Sequence, residues 1–219
     1  MSGTTHADIP LSFLEHRAVY SEPMLQVQRL YSDVSQAVFQ AFRDWNVALE
    51  NVSYKQTPVN LAEVSVAFAL LGGRLGFTVG LASASLLVKD PSWSEADLVT
   101  SIAKAGIGAV VQSGAVTVAQ QRSTIAMHVK PVSGQIKEFV AGLIRPNEPA
   151  LTAEDVRAYG FSMYRQDSSW VVDTSASYPD ALFVRIERVS GPNVSFEQIA
   201  STLRQDESTL LGLLRLDVD

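Results

Sequence analysis

Apolar residues recur at helical spacing near the start of the chain, after a Ser21-Glu22-Pro23 turn. Between Leu25 and Trp45 they form a single stripe, made of Val27, Leu30, Tyr31, Val34, Val38, Ala41, Phe42 and Trp45. Such a stripe, at a period of about 3.6 residues, is typical of a helix that buries one face. We therefore predict a long amphipathic helix in this region.

Three β-strands are predicted next, over residues 47–56, 61–71 and 75–88. Apolar residues alternate with smaller ones on both sides of Gly72-Gly73, and this pattern is typical of a β-hairpin. The alternative is a membrane span from Val64 to Val88, a stretch of 25 residues in which Arg74 is the only charged residue. The hairpin is favoured because a helix gives no reason for alternation at a period of two.

A second helix is predicted from Ser94 to about Gln112, although Gly106 and Gly108 lie inside it. The alternation from Ser123 to Val129 predicts a strand. After this strand we predict a short helix capped by Ser133 and a linker over residues 145–149.

The pattern then repeats in the second half of the chain. Strands are predicted at residues 159–166, around Trp170 and Val172, and around Val184. A final helix begins after Ser195 and carries an apolar stripe.

These elements predict an α+β fold in which antiparallel sheet packs against helices. Residues 1–10 are polar and are expected to be flexible. Residues 11–219 form one domain, with two α-β-β-β-α halves at about 11–131 and 132–219. The halves repeat in element order and not in residue identity. In outline only, this order resembles that of small α+β secretion chaperones.

Composition narrows the function classes. The net charge is −6 and the 17 Lys and Arg are scattered, which disfavours nucleic acid as a partner. The chain has no cysteine, so thiolate metal sites and cysteine nucleophiles are excluded. Met1 to Pro10 contains neither a basic nor an apolar region of a signal peptide, which predicts a cytoplasmic protein.

No catalytic, cofactor-binding or metal-binding residue is predicted. His6, His16 and His128 lack the spacing of a zinc or di-iron site. A metal held by His16, His128 and distant carboxylates is the weaker alternative, and a satisfied strand residue is the ordinary interpretation of His128. Gly72-Gly73-Arg74-Leu75-Gly76 lacks the lysine and the following helix of a phosphate loop.

The aromatic residues of the second half offer one candidate surface. Tyr159, Tyr164, Arg165 and Arg185 are predicted to form a protein-contact patch on the sheet. The alternative is that Phe161, Met163 and Trp170 face the core, because alternation alone does not tell which face is covered.

The main functional hypothesis is a non-enzymatic protein-binding module: an adaptor, a chaperone-like protein or an immunity-type protein. A homodimer is a further hypothesis, because the apolar residues 210–216 need a cover. The core of the same chain is the first candidate for that cover, and a symmetric partner is the second. The first alternative is a protein or enzyme with a pocket for a small apolar ligand. Gly76, Gly80 and Ala82 would line that pocket, and Tyr54, His128 or Tyr164 would supply a polar contact. The second alternative is a structural subunit of a larger assembly.

Overall fold

A computed structural model describes residues 5–55, 60–132, 160–178 and 180–218. The fold is α+β, with a large antiparallel sheet of ten strands. The helices are α1 (Val27–Arg29), α2 (Ser35–Ala41), α3 (Ala96–Gly114) and α4 (Phe196–Leu213). The strands are β1 (Thr5–Tyr20), β2 (Val52–Lys55), β3 (Ser65–Leu70), β4 (Leu75–Gly80), β5 (Ser83–Lys89), β6 (Val118–Pro131), β7 (Gly160–Tyr164), β8 (Ser168–Thr174), β9 (Leu182–Ser190) and β10 (Leu216–Asp217).

The chain divides into two compact units. Unit I contains Met1–Ser12, Ile125–Arg188 and Thr202–Asp219, and unit II contains Phe13–Thr124 and Val189–Ser201. These units are discontinuous in sequence and do not coincide with the proposed halves at 11–131 and 132–219. The duplication of element order therefore stays a prediction.

Unit II contains the sheet order β2-β3-β4-β5-β1. Every second residue of its central strands is buried, including Phe68, Phe77 and Leu86, and these side chains join the helices in one core. Helices therefore cover one face of this sheet.

The first predicted helix is confirmed. α1 continues through a π-helical turn (Leu30–Val34) into α2, and a 3₁₀ turn (Arg43–Trp45) follows. The stripe packs as expected, because Leu30, Val34, Val38 and Phe42 are fully buried.

Helix α3 shows why a glycine lies in the middle of a helix. A Cβ atom at Gly106 would lie 2.7 Å from the Cζ atoms of both Phe42 and Phe77. The helix therefore approaches these rings too closely for any side chain. At Gly108 a Cβ would meet nothing within 4 Å, so packing does not require that glycine.

The hairpin around Gly72-Gly73 is confirmed, and the strand predicted after it is corrected. β3 and β4 pair antiparallel with Leu70 opposite Leu75, and Gly72 and Gly73 adopt φ values of 69° and 84°. Residues 75–88 form two strands and not one, since the chain turns at Leu81 and Ala82 between β4 and β5. The buried positions change from odd to even numbers at this turn.

Unit I contains the strand order β6-β9-β8-β7 and the pairing of β10 with β1. Thr5 and His6 pair in parallel with Leu216 and Asp217. The structure thus places residues 5–10 in a strand, whereas a flexible segment was expected. The short helix after Ser133, the linker at 145–149 and Tyr159 lie outside the described residues.

Most of the stretch from Val64 to Val88 lies in β3, β4 and β5, so the alternative of a membrane-spanning helix is wrong there. Among the residues that the structure describes, no helix is long and apolar enough to cross a membrane.

Candidate functional site

The described residues of the predicted contact patch, Tyr164, Arg165 and Arg185, lie in or next to strands β7 and β9 of unit I. The register of β7, β8 and β9 separates two faces. Met163, Trp170 and Ile186 are aligned across β7, β8 and β9, and the last two are buried in the core. Because side chains alternate along a strand, Tyr164 and Arg185 belong to the opposite face. Tyr164 is 79% exposed, and Arg185 is half-buried.

Arg165 does not join Tyr164 and Arg185. Its Cζ atom lies 4.3 Å from the centroid of the Trp170 ring, a distance typical of a cation–π contact. Trp170 is only 1% exposed and belongs to the core face. The alternative interpretation, in which Trp170 faces the core, is therefore confirmed, and Arg165 covers that ring.

A cluster of rings extends the face of Tyr164 and Arg185, and it is absent from the predicted patch. The His128 ring lies 4.8 Å from the ring of Tyr178 and 5.5 Å from that of Phe183. Phe183 lies two residues before Arg185 on β9, so both side chains lie on one face. The sequence contained a signal for this cluster, because His128 and Phe183 each lie between two apolar residues. Those apolar neighbours are buried in the structure, so alternation places both rings on the other face. We call His128, Tyr164, Tyr178, Phe183 and Arg185 the ring-bearing face.

Hydrogen bonds fix the orientation of His128. Its Nδ1 atom lies 2.9 Å from Ser175 Oγ, which accepts the backbone N–H groups of Ser177 (3.2 Å) and Tyr178 (2.9 Å). With those two N–H groups bound, the hydroxyl donates its own hydrogen to Nδ1. The neutral imidazole then carries its proton on Nε2 and presents a donor. The serine oxygen is occupied by the turn, so this pair lacks the arrangement of a serine nucleophile and its base.

Arg185 is the charged member of the ring-bearing face. Its Nε atom is buried and has no hydrogen-bond partner among the described residues. A buried donor without an acceptor costs free energy. The residue lies opposite Val171 and is flanked on its own strand by Phe183 and Glu187. This Nε–H group is therefore an unsatisfied donor among the described residues, and neighbouring atoms cover it.

A second polar group is buried in unit II, around His16. The imidazole is 6% exposed, its Nδ1 atom lies 2.8 Å from Ser123 Oγ, and the Phe196 ring stacks edge-on at 4.7 Å. Burial lowers the pKa of His16 to about 4, an effect partly opposed by a hydrogen bond with the Gln121 side chain. The ring is therefore neutral at physiological pH.

The neighbours of His16 are held in place by polar contacts. The Nε2 atom of Gln121 donates to the carbonyls of Gly191, Pro192 and Val194 at 2.8–3.3 Å. On α4, Glu197 pairs with Lys104 of α3, whose hydrogen bond lowers the pKa of that carboxyl. These contacts anchor the segment that carries Phe196, and they give the buried polar group a structural role.

The pocket hypothesis gains no support from the cleft between α2 and α3. This cleft has a volume of about 610 Å³, but it is shallow, and its lining includes Lys104, Gln112 and Ser113. Gly76 and Gly80 are half-buried on β4 of unit II, and Tyr54 is exposed on β2 of the same unit. His128 and Tyr164 belong to unit I.

The acidic and histidine side chains in the described part of the chain do not gather into a metal centre. No group of three or more histidine, aspartate or glutamate side chains there is placed to hold a metal ion. Glu95 pairs with Arg74 at 2.6 Å. Asp217 lies 3.7 Å from His6.

Comparison with known proteins adds no assignment. No protein-family model matches the sequence, and no curated protein is significantly similar to it.

Proposed function

We propose that this chain is a non-enzymatic protein-binding module and that the ring-bearing face contacts its partner. The observation that carries the proposal is the placement of Tyr164, Phe183 and Arg185 on the side of the sheet opposite Trp170 and Ile186. Tyrosine, phenylalanine and arginine are enriched at the centres of protein interfaces.

The rigidity of this face supports the same function. His128, Tyr164 and Phe183 lie on hydrogen-bonded strands, and the His128 side chain and the Tyr178 backbone are both bonded to Ser175. Side chains that are already ordered lose little conformational entropy when a partner binds. An ordered aromatic surface therefore gives more affinity per contact than a mobile one.

The chemistry of the face also indicates what its partner presents. Arg185 Nε–H and His128 Nε2–H are donors, and the rings around them are apolar. We expect a partner segment with an apolar side chain beside a carboxylate or a backbone carbonyl. A carboxylate opposite Arg185 would form a charge-assisted hydrogen bond with its guanidinium group.

The test begins with gentle purification of the full chain from its own host, followed by native mass spectrometry. We expect a second protein in fixed stoichiometry. Its affinity for wild type, Arg185→Glu and Phe183→Gln is then measured by calorimetry. Each substitution removes contacts at the centre of the face, so we expect each to weaken binding at least about tenfold, which corresponds to about 1.4 kcal/mol.

Tyr54→Ala is the matched control, because Tyr54 is an exposed strand tyrosine outside the ring-bearing face. It should bind the partner like wild type. Equal affinity for all four proteins would refute the assignment of this face. A small-molecule adduct on an otherwise bare chain would refute the protein-binding function and favour the pocket hypothesis.

A further inference from the structure

Strand β7 ends the described sheet of unit I and carries no charge. Its only strand partner among the described residues is β8. Its sequence, Gly160-Phe161-Ser162-Met163-Tyr164, contains neither a charged residue nor a proline. Proteins usually protect an exposed edge with such residues, as Lys55 does on the edge strand β2. An unprotected edge favours pairing with another strand.

The backbone groups of β7 that point away from β8 can be identified from the register. The N–H of Arg165 donates to the carbonyl of Ser168 at 2.8 Å, so this pair is hydrogen-bonded. Such pairs alternate along an antiparallel ladder, and Met163 and Phe161 therefore also point their backbone groups towards β8. Gly160, Ser162 and Tyr164 direct their N–H and C=O groups outward.

We propose that β7 pairs with β7 of a second copy of this chain, antiparallel and centred on Ser162. This register places Ser162 opposite Ser162 of the partner subunit and Gly160 opposite Tyr164. Every outward residue then meets another outward residue, and each such pair exchanges two N–H···O bonds. A register shifted by one pair leaves some of these groups unbonded, so the Ser162-centred register satisfies the edge best.

The side chains of β7 match themselves in the same register. Tyr164 is 79% exposed and would lie across the strand from glycine, whose bare backbone accommodates an aromatic ring. On the other face Phe161 would meet Met163, in a close pair between an aromatic ring and a thioether. Both of these side chains are only half-buried in the single chain. A large side chain thus lies opposite glycine on one face, and two apolar side chains lie opposite each other on the other face.

Charge favours β7 over most other parts of the surface as the contact between two copies of the chain. The chain carries a net charge of −6, so two copies repel one another at a distance. A contact centred on five uncharged residues brings no like charges into opposition across the strands. The proposal uses the edge of the sheet and does not depend on the ring-bearing face binding a partner.

The first test is sedimentation equilibrium of the full chain. We expect a mass of twice 23.7 kDa that dissociates on dilution. Ser162→Pro removes an outward N–H that pairs with no other described strand, and proline is tolerated at such edge positions. The dimer dissociation constant should rise about thirtyfold, the factor expected when each copy loses one N–H···O bond. Ser162→Ala keeps that N–H and should dimerise like wild type.

The second test fixes the register. Since the chain has no cysteine, Ser162→Cys creates its only thiol, about 5.5 Å from its equivalent between the Cα atoms. A short bis-maleimide should link the two copies. In Tyr164→Cys the equivalent thiols are four residues out of register, about 13 Å along the strands, and the same reagent should leave the chain uncrosslinked.

The outcomes separate clearly. Two results together would support the proposal. Ser162→Pro should lose the dimer while its circular dichroism spectrum stays unchanged, and crosslinking should occur at position 162 and not at position 164. A wild-type chain that remains monomeric at several hundred micromolar would overturn it. A dimer that Ser162→Pro leaves intact would also overturn it, because the contact would then lie elsewhere.

Discussion

Protonation of His16 should make the stability of this protein depend on pH in a definite window. Its pKa is 6.5 for the free side chain and about 4 in the folded protein, because burial disfavours the charged ring. A group with a depressed folded pKa holds its stabilising contribution above pH 6.5. As the pH falls from 6.5 towards 4, His16 becomes protonated in the unfolded chain but stays neutral in the folded chain. The free energy of unfolding therefore decreases. Below about pH 4 both states are protonated, and the loss levels off.

The magnitude follows from the size of the shift. The pKa falls by about 2.5 units, and each unit is worth about 1.36 kcal/mol. Folding should therefore lose about 3 kcal/mol from this residue alone between pH 6.5 and pH 4. The free energy of unfolding of a typical domain is roughly 5–15 kcal/mol, so this loss would be a large fraction of it.

The assay is urea unfolding of wild type and His16→Gln at several pH values from 7.5 to 4. Carboxylates contribute equally to both proteins, so the difference between their free energies of unfolding isolates His16. Glutamine keeps hydrogen-bonding capacity towards Ser123 and does not titrate. We expect the advantage of wild type to shrink by about 3 kcal/mol across this range. A difference that stays constant with pH would show that His16 is protonated equally in both states and would refute the argument.

Two further predictions concern packing and a buried ion pair. Gly106→Ala should destabilise the protein by about 1–3 kcal/mol in urea unfolding, because the new methyl group would overlap two phenylalanine rings. Gly108→Ala, which meets no atom within 4 Å, should instead stabilise it by up to about 1 kcal/mol; the same sign for both would contradict the packing. In unit I, Asp206 accepts two hydrogen bonds from Arg188 at 2.8–2.9 Å, and both side chains are largely buried. Asp206→Ala should cost about 1–3 kcal/mol, because Arg188 loses this buried acceptor but keeps its bond to the exposed Asp167 at 2.5 Å. The double variant Arg188→Met/Asp206→Leu should recover part of that loss in the same assay.

The local elements could be predicted because they depend on local periodicity. The buried stripe of α1 and α2 and the hairpin of β3 and β4 follow from spacing within a single segment. The turn between β4 and β5 also left a trace in the sequence, since the apolar positions change phase after Leu81. No glycine-proline or asparagine-glycine pair marks that turn, and the change of phase was its only signal.

The extent of β1 could not be predicted from its composition. Thr5–Tyr20 includes His6, Asp8, Glu15, His16 and Arg17, which have little intrinsic preference for a strand. This segment is extended because neighbouring strands on both sides supply its hydrogen bonds. Strand pairing between residues far apart in sequence therefore decides its structure, and local propensity does not.

By itself the sequence determined the α+β class, the main helices, the first hairpin and the absence of cysteine chemistry. Only the tertiary structure decided that Trp170 faces the core under Arg165 while Arg185 lies on the opposite face beside Phe183. It also decided that His16 is buried against Phe196 and is neutral. The physical reason is that alternation specifies two faces without saying which one is covered. The covering residues, the hydrogen-bond partners and the shifted pKa all come from segments that are distant in the chain.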